Sequence, residues 1–357
     1  MYTRKIIFKL LIFCAGSAFA QDAHFSQLSQ APLLLNPANA GFFDGYARAT
    51  VNYRTQWNAG TAPFQTIMAS FDANAGLKKS HAAFLGVGGY IYQDKAASGA
   101  WKTLNADIIG NVVVNIGKNS KISGAVGAGI GQTSTNNNNY TYGVQYSGTQ
   151  FNTNLPNYEI FNSSRNFTWF DLSSGVNFEI NKVKEEFSYN NHFSLRLGFA
   201  GYHLNQPRLE FTTNNPQNID RRFVASAQAR IDIKESSISI LPSLIYMFQG
   251  QYKEFNIGTF MRYRFKDATK TTGLKSETAL LIGCYYRTGD AIIPQFMLEF
   301  KSLMFGFSYD QTISSYKNAN RGLGAFEVTL SWRNMRNGLF KQRREFSTGT
   351  KSGMTPN

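Results

Sequence analysis

At 357 residues, of which 43% are hydrophobic and only 16% charged, the chain is long enough for two soluble domains or for one large barrel. Beyond the N-terminus no apolar run approaches the roughly 20 residues a membrane helix needs, which excludes a helical membrane protein. The formal charge of +14 would suit nucleic acid, an acidic membrane surface or an acidic partner, and aromatics at 15% are expected where rings gather at two membrane interfaces.

Arg4 and Lys5 open the chain, a short apolar core runs from Ile6 to Phe13 with Lys9 inside it, and Ala18-Phe19-Ala20 precedes Gln21. This order describes a secretory signal peptide over residues 1–20, cut between Ala20 and Gln21. Export argues against nucleic acid, and losing Arg4, Lys5 and Lys9 lowers the formal charge to +11. Only Cys284 then remains, so no disulfide can form within the chain.

Residues 21–45 do not alternate. Pro32 and Pro37 punctuate them, and Leu33, Leu34 and Leu35 form an apolar knot that has to be buried. Two placements follow: a strap across the periplasmic end of a barrel, slightly favoured, or a plug inside its lumen.

From Tyr46 a two-residue rhythm begins. Ala47, Ala49, Val51 and Tyr53 oppose Arg48, Thr50, Asn52 and Arg54, and successive strand side chains point to opposite faces. Similar segments follow at about 64–73, 83–93, 101–115, 120–132, 167–181, 191–203, 221–233, 237–248, 252–266, 276–287, 290–301, 303–313 and 323–333. The spacing predicts an all-β protein, a transmembrane antiparallel β-barrel of about 14 strands over residues 46–333 with both termini in the periplasm.

Charges keep to one parity. Arg48, Arg54, Arg196, Arg230, Arg262, Arg264, Glu299 and Glu327, with Asp107, Asp171, Glu179, Glu254 and Asp310, are assigned to the lumen. An Arg or Lys at the lipid midplane would cost about 2–4 kcal/mol, and acid–arginine pairs across a lumen mainly stiffen and close it.

Residues 115–120, 181–186 and 288–290 read as tight periplasmic turns, whereas 133–166, rich in Asn, Thr and Tyr, and 204–220 read as long extracellular loops. After Arg333 the rhythm stops. Residues 334–357 form a basic periplasmic tail, read as disordered or as a docking segment for an acidic partner through Arg336, Lys341, Arg343 and Arg344.

No HExxH, CxxC, GxSxG or P-loop is present, and His24, His81, His192 and His203 are isolated in sequence. The reading is a non-enzyme with no catalytic, cofactor or metal site.

Several stretches resemble the PorP/SprF family of Bacteroidota membrane proteins. Phe25-Ser26-Gln27 with Asn36-Pro37-Ala38 and Gly41 is similar to the family's opening, and Tyr53-Arg54-x-Gln56-Trp57 to its signature. His203-Leu204-Asn205-Gln206-Pro207, Phe307-Ser308-Tyr309-Asp310 and Gly324-Ala325-Phe326-Glu327 are similar to later segments. The resemblance implies an outer-membrane barrel of type IX secretion and gliding motility. Such a barrel helps a large secreted adhesin reach or stay at the cell surface through that adhesin's C-terminal domain, beside motor components and in contact with outer-membrane lipid. The residues alone leave open a substrate channel, porin-like or for hydrophobic compounds, and a periplasmic β-sandwich.

Overall fold

The computed structural model describes residue 22 and residues 24–56, 63–75, 82–96, 101–135, 143–152, 154–156, 165–185, 190–209, 217–266, 278–315, 317 and 322–334. The signal cleavage site at Ala20 and Gln21, Trp57, and the basic residues Arg336, Lys341, Arg343 and Arg344 lie outside them.

Fourteen antiparallel strands close into one barrel. In chain order they are β1 (Ala47–Gln56), β2 (Phe64–Ala75), β3 (Ala83–Ala96), β4 (Trp101–Ile116), β5 (Ser120–Thr135), β6 (Arg165–Glu185), β7 (Asn190–Tyr202), β10 (Arg222–Asp232), β11 (Ile238–Gln249), β12 (Tyr252–Lys266), β13 (Thr278–Arg287), β14 (Ala291–Phe300), β15 (Leu303–Thr312) and β16 (Leu323–Asn334). Two short strands, β8 (Arg208–Leu209) and β9 (Gln217–Asn218), pair outside the barrel, within a stretch the sequence had marked only as a loop. β1 closes on β16 in a ten-residue register from Ala47↔Asn334 to Gln56↔Ala325, so no edge is left unpaired in the bilayer.

The rhythm of the sequence becomes the two faces of the wall. Outward positions carry Ile108 at 74% exposure, Val126 at 71% and Ile130 at 60%, whereas the inward Asn52, Glu327 and Thr329 are at 0%. Leu85, Ile91, Phe199, Phe296, Phe305 and Leu330 are likewise exposed on the outside, as a surface dissolved in lipid requires. Among the described residues no helix is long and apolar enough to cross a membrane.

Three expectations are corrected. β6 continues to Glu185, so residues 181–185 of the turn placed at 181–186 are strand, with Asn181 and Lys182 still paired with Ser194 and Phe193. The Thr288–Asp290 turn is tight, yet it lies at the end carrying the 136–164 and 203–221 connections. Strand direction alternates, and β13 runs away from the end where β1 begins. Lastly, the first strand starts and the last strand ends together, but the N-terminal segment does not stay at that end.

Residues 24–43 lie within the ring of strands. Their side chains reach β1, β15 and β16 on one side and β4, β6 and β7 on the other, which a strap across one end could not do. Asp22 meets His203, Arg222 and Gln249, all at the loop end, whereas Tyr46 bonds Asn334 at the opposite end. The chain therefore traverses the lumen from the loop end back to the start of β1. Phe25, Leu33, Leu34, Ala38 and Ala40 pack with inward Met68, Tyr90, Tyr92, Ile109 and Ala125, while Leu28 and Leu35 join Ala200, Tyr202, Val224, Ile245 and Met247. Each large apolar side chain so buried contributes roughly 1.5–3 kcal/mol. The leucine knot thus finds its cover inside the barrel.

Candidate functional site

The strongest concentration of chemistry is where this segment meets the wall of β1, β13, β15 and β16. Glu327 on β16 faces inward because its neighbours Phe326 and Val328 belong to the lipid face. Its carboxylate accepts the backbone N–H groups of Ser26 at 2.7 Å and Gln27 at 3.1 Å. Gln27 then spends its side-chain amide on the Glu327 carbonyl at 3.1 Å and Ser308 Oγ at 3.2 Å. A segment without its own ladder thereby satisfies its backbone against a strand it does not pair with.

Two arginines complete the network. Arg54 bonds Asp310 at 2.9 Å, Glu327 at 3.4 Å and Ser26 Oγ; Arg287 bonds Asp310 at 2.7 Å and Asp290 at 2.6 Å. Ser26 Oγ donates to Asp310 at 2.8 Å, and Gln295 holds the Ser26 carbonyl at 3.1 Å. Charge-assisted bonds of this kind are strong once water is excluded, and an unpaired member would be costly. Four of the stretches that resemble the PorP/SprF family meet here: Phe25-Ser26-Gln27, Tyr53-Arg54, Ser308-Tyr309-Asp310 and Glu327.

A second cluster holds the segment at the loop end, through Asp22. His203 follows β7 in a left-handed conformation, φ 54°, and its ring nitrogens contact Asp171 at 2.9 Å and Asp22 at 2.8 Å. Arg222 adds a contact to Asp22 at 3.3 Å and stacks over the Tyr202 ring. Burial opposes a charged imidazole, but the two carboxylates outweigh it and hold the His203 pKa up at about 10. Burial likewise opposes the Asp22 carboxylate, and His203 and Arg222 outweigh it, so its pKa is depressed. Asn205 steadies this corner by bonding the Phe170 carbonyl and the Leu172 N–H of β6.

The opposite wall grips by shape. Asn36 caps the turn at Ala38 and bonds the Val176 carbonyl, Asn177 and the Phe199 carbonyl, while Asn111 donates to the Ala38 and Ala40 carbonyls. A β-carbon at Gly175 would overlap Asn36 Oδ1, and one at Gly86 would overlap the Ala40 carbonyl, so the segment's backbone lies directly on bare strand. Gly41, at φ 65°, lets the chain turn out past Asp72.

Each assigned lumen charge has a definite place. Arg48 pairs with Asp72 at 2.8 Å, Arg196 with Glu179, Arg230 with Asp232 at 2.9 Å and Arg262 with Glu299 at 2.6 Å, while Arg264 donates to the Ser236 carbonyl. Arg54 and Glu327 join the knot above. Pro37 and Ala38 are buried in the lumen, Tyr53 faces outward against the Phe326 ring at 6.1 Å, and Gln56 accepts from Arg54 at 3.4 Å. Sequence reasoning missed Asp22, Asp72, Arg222, Asp232 and Arg287. Arg222 and Arg287 are the first and last residues of their strands, where alternation is weakest, but both share the parity of inward neighbours. Among the described residues no group of three or more His, Cys, Asp and Glu could hold a metal ion.

The family described as type IX secretion system membrane protein PorP/SprF matches residues 17–332. No curated protein matches the sequence. Among solved structures, the chain is similar to the Ralstonia pickettii toluene transporter TbuX, at 9% identity over 85% of this chain and 94% of that one, with a TM-score of 0.46. It is also similar to a Pseudomonas aeruginosa FadL homologue, at 12% identity over 86% and 94%, TM-score 0.47. A third is BamA from Haemophilus ducreyi lacking POTRA domains 1–3, at 11% identity over 81% and 70%, TM-score 0.40. The chain belongs to the PorP/SprF family of type IX secretion system membrane proteins and is a 14-stranded β-barrel of the outer membrane.

Proposed function

We propose that this barrel is a non-enzymatic scaffold that binds a large secreted adhesin through the adhesin's C-terminal domain and helps secrete or anchor it at the cell surface. The adhesin is met at the extracellular loops. The secretion or gliding-motor components are met on the periplasmic side, where the tail with Arg336, Lys341, Arg343 and Arg344 supplies positive charge. On this reading residues 1–20 are removed on export and residues 21–45 act as a plug.

The observation that carries the proposal is the filled lumen. Phe25, Leu33, Leu34 and Leu35 are buried at 3% exposure or less, and Glu327 is tied to the segment's backbone. A barrel occupied in this way suits a rigid platform better than an open pore. Deleting the gene is expected to remove one adhesin from the cell surface while general secretion persists, and unchanged surface adhesin would sink the idea. The alternative, a porin-like or hydrophobic-compound channel, requires the segment to leave the lumen. It predicts a steady open current for the intact protein in planar bilayers, where the scaffold predicts none.

A further inference from the structure

Lys95 on β3 and Lys102 on β4 are direct cross-strand partners. Both occupy outward parities, shared with exposed Ile91 and Leu104, and both lie at the loop end, beside the β3–β4 connection. Opposed side chains in an antiparallel pair stand about 4.5–5.5 Å apart at Cβ, and like charges there destabilise the sheet. The row they belong to continues as Gln65 on β2 and Ser134 on β5, also outward, so it offers two amines flanked by an amide and a hydroxyl with no carboxylate. Asp94, the chain neighbour of Lys95, points to the other face, where it accepts from Thr66 at 2.6 Å.

A second opposed pair shows what compensation looks like. Arg48 and Arg333 face each other across β1 and β16, but Asp72 takes the Arg48 guanidinium at 2.8 Å and the Phe43 ring lies 4.5 Å from Arg48 and 6.0 Å from Arg333. Among the described residues no acid pairs with Lys95 or Lys102. Below them the outward rows pass from Ile67, Gln93, Leu104 and Gln132 to Ala69, Ile91, Ala106 and Ile130, a change from polar to apolar in two steps. Such a gradient places the lysines at headgroup level with acyl chains beneath.

We propose that Lys95 and Lys102, with Gln65 and Ser134, bind the phosphate of a phosphorylated glycolipid of the outer leaflet, whose acyl chains run down over Leu104, Ile91 and Ile130. The anion converts an opposed pair of cations into a bridged one. The experiment uses the full mature chain in detergent and native mass spectrometry, with monophosphorylated lipid A, the same lipid without its phosphate, and inorganic phosphate as probes. The phosphorylated lipid should be retained and its dephosphorylated form lost, with Lys95→Gln and Lys102→Gln each lowering retention roughly fivefold. Lys253→Gln, at the same end but opposite Phe248, should change nothing. Equal retention of the two lipids, or wild-type retention by the double variant with normal heat-modifiable mobility, would overturn the proposal. So would displacement of the lipid by an equal concentration of inorganic phosphate, which would mark a bare anion site.

Discussion

The two walls that hold the N-terminal segment do so by different physics. On β1, β13, β15 and β16 the contact is charge: Arg54, Arg287, Asp310 and Glu327 enclose Ser26 and Gln27 with charge-assisted hydrogen bonds. On β3 to β7 it is close approach: Gly86 and Gly175 leave no side chain between the strand and Ala40 or Asn36. The first wall fixes register, because donors and acceptors must coincide. The second fixes depth, because only bare backbone admits the segment so near. The charged knot also bridges the β1–β16 closure, so occupying the lumen and sealing the barrel are linked.

Breaking the charged wall should have the largest effect. Arg54→Ala leaves Asp310 and Glu327 buried with one fewer cation, and removing one partner of a buried pair costs about 3–5 kcal/mol. The expected outcome is a lower heat-modification midpoint together with protease cleavage before Tyr46, partly reversed in Arg54→Ala/Glu327→Gln. A wild-type midpoint with the segment still protected would show that the network contributes little.

Disturbing the close-approach wall should cost less and act differently. Gly175→Val places methyl groups where Asn36 lies, and overpacking of this kind costs about 1–3 kcal/mol. The segment should be released around Asn36 while the strands stay folded, so single-channel current should appear with normal mobility on gels. Gly124→Val on the neighbouring β5, whose added Cβ faces lipid beside Val126 and meets nothing within 4 Å, is the control for adding the same side chain away from the segment. Equal behaviour of the two variants would remove the distinction between the walls.

Much of this fold was legible because a strand writes its two faces into alternate residues. Phe326 and Leu330 against Glu327 and Thr329 need no knowledge of partners, only of parity. What stayed hidden is what parity cannot encode. Residues 21–45 have no period, so the apolar knot at Leu33 to Leu35 announced burial without saying where. Arg54 finds Asp310 across 256 residues and Ser26 finds Glu327 across 301, distances at which no local rule connects them. The Thr288–Asp290 turn was assigned to the wrong end because its shortness outweighed the strand count, although counting directions from β1 decides it. Family resemblance pointed to Arg54, Asp310 and Glu327 separately; only folding shows that they are one contact.

The most local effect belongs to Asp22, at the loop end of the segment and beyond both walls. His203 is kept protonated between Asp22 and Asp171, with a pKa near 10 in the fold against about 6.5 in the unfolded chain. A raised pKa stabilises most below the unfolded value. The contribution is therefore complete below about pH 6.5, declines through the alkaline range and is lost above about pH 10. Proteolysis ahead of Ser26 should accelerate between pH 7 and 10 in the wild type while the charged wall still protects Ser26 and Gln27. His203→Gln keeps one hydrogen bond without the charge, so it should be cleaved faster than the wild type at pH 7 and show a flat profile over the same range. A pH-dependent rate in His203→Gln equal to the wild type's would assign the effect to other groups and leave Asp22 held by Arg222 alone.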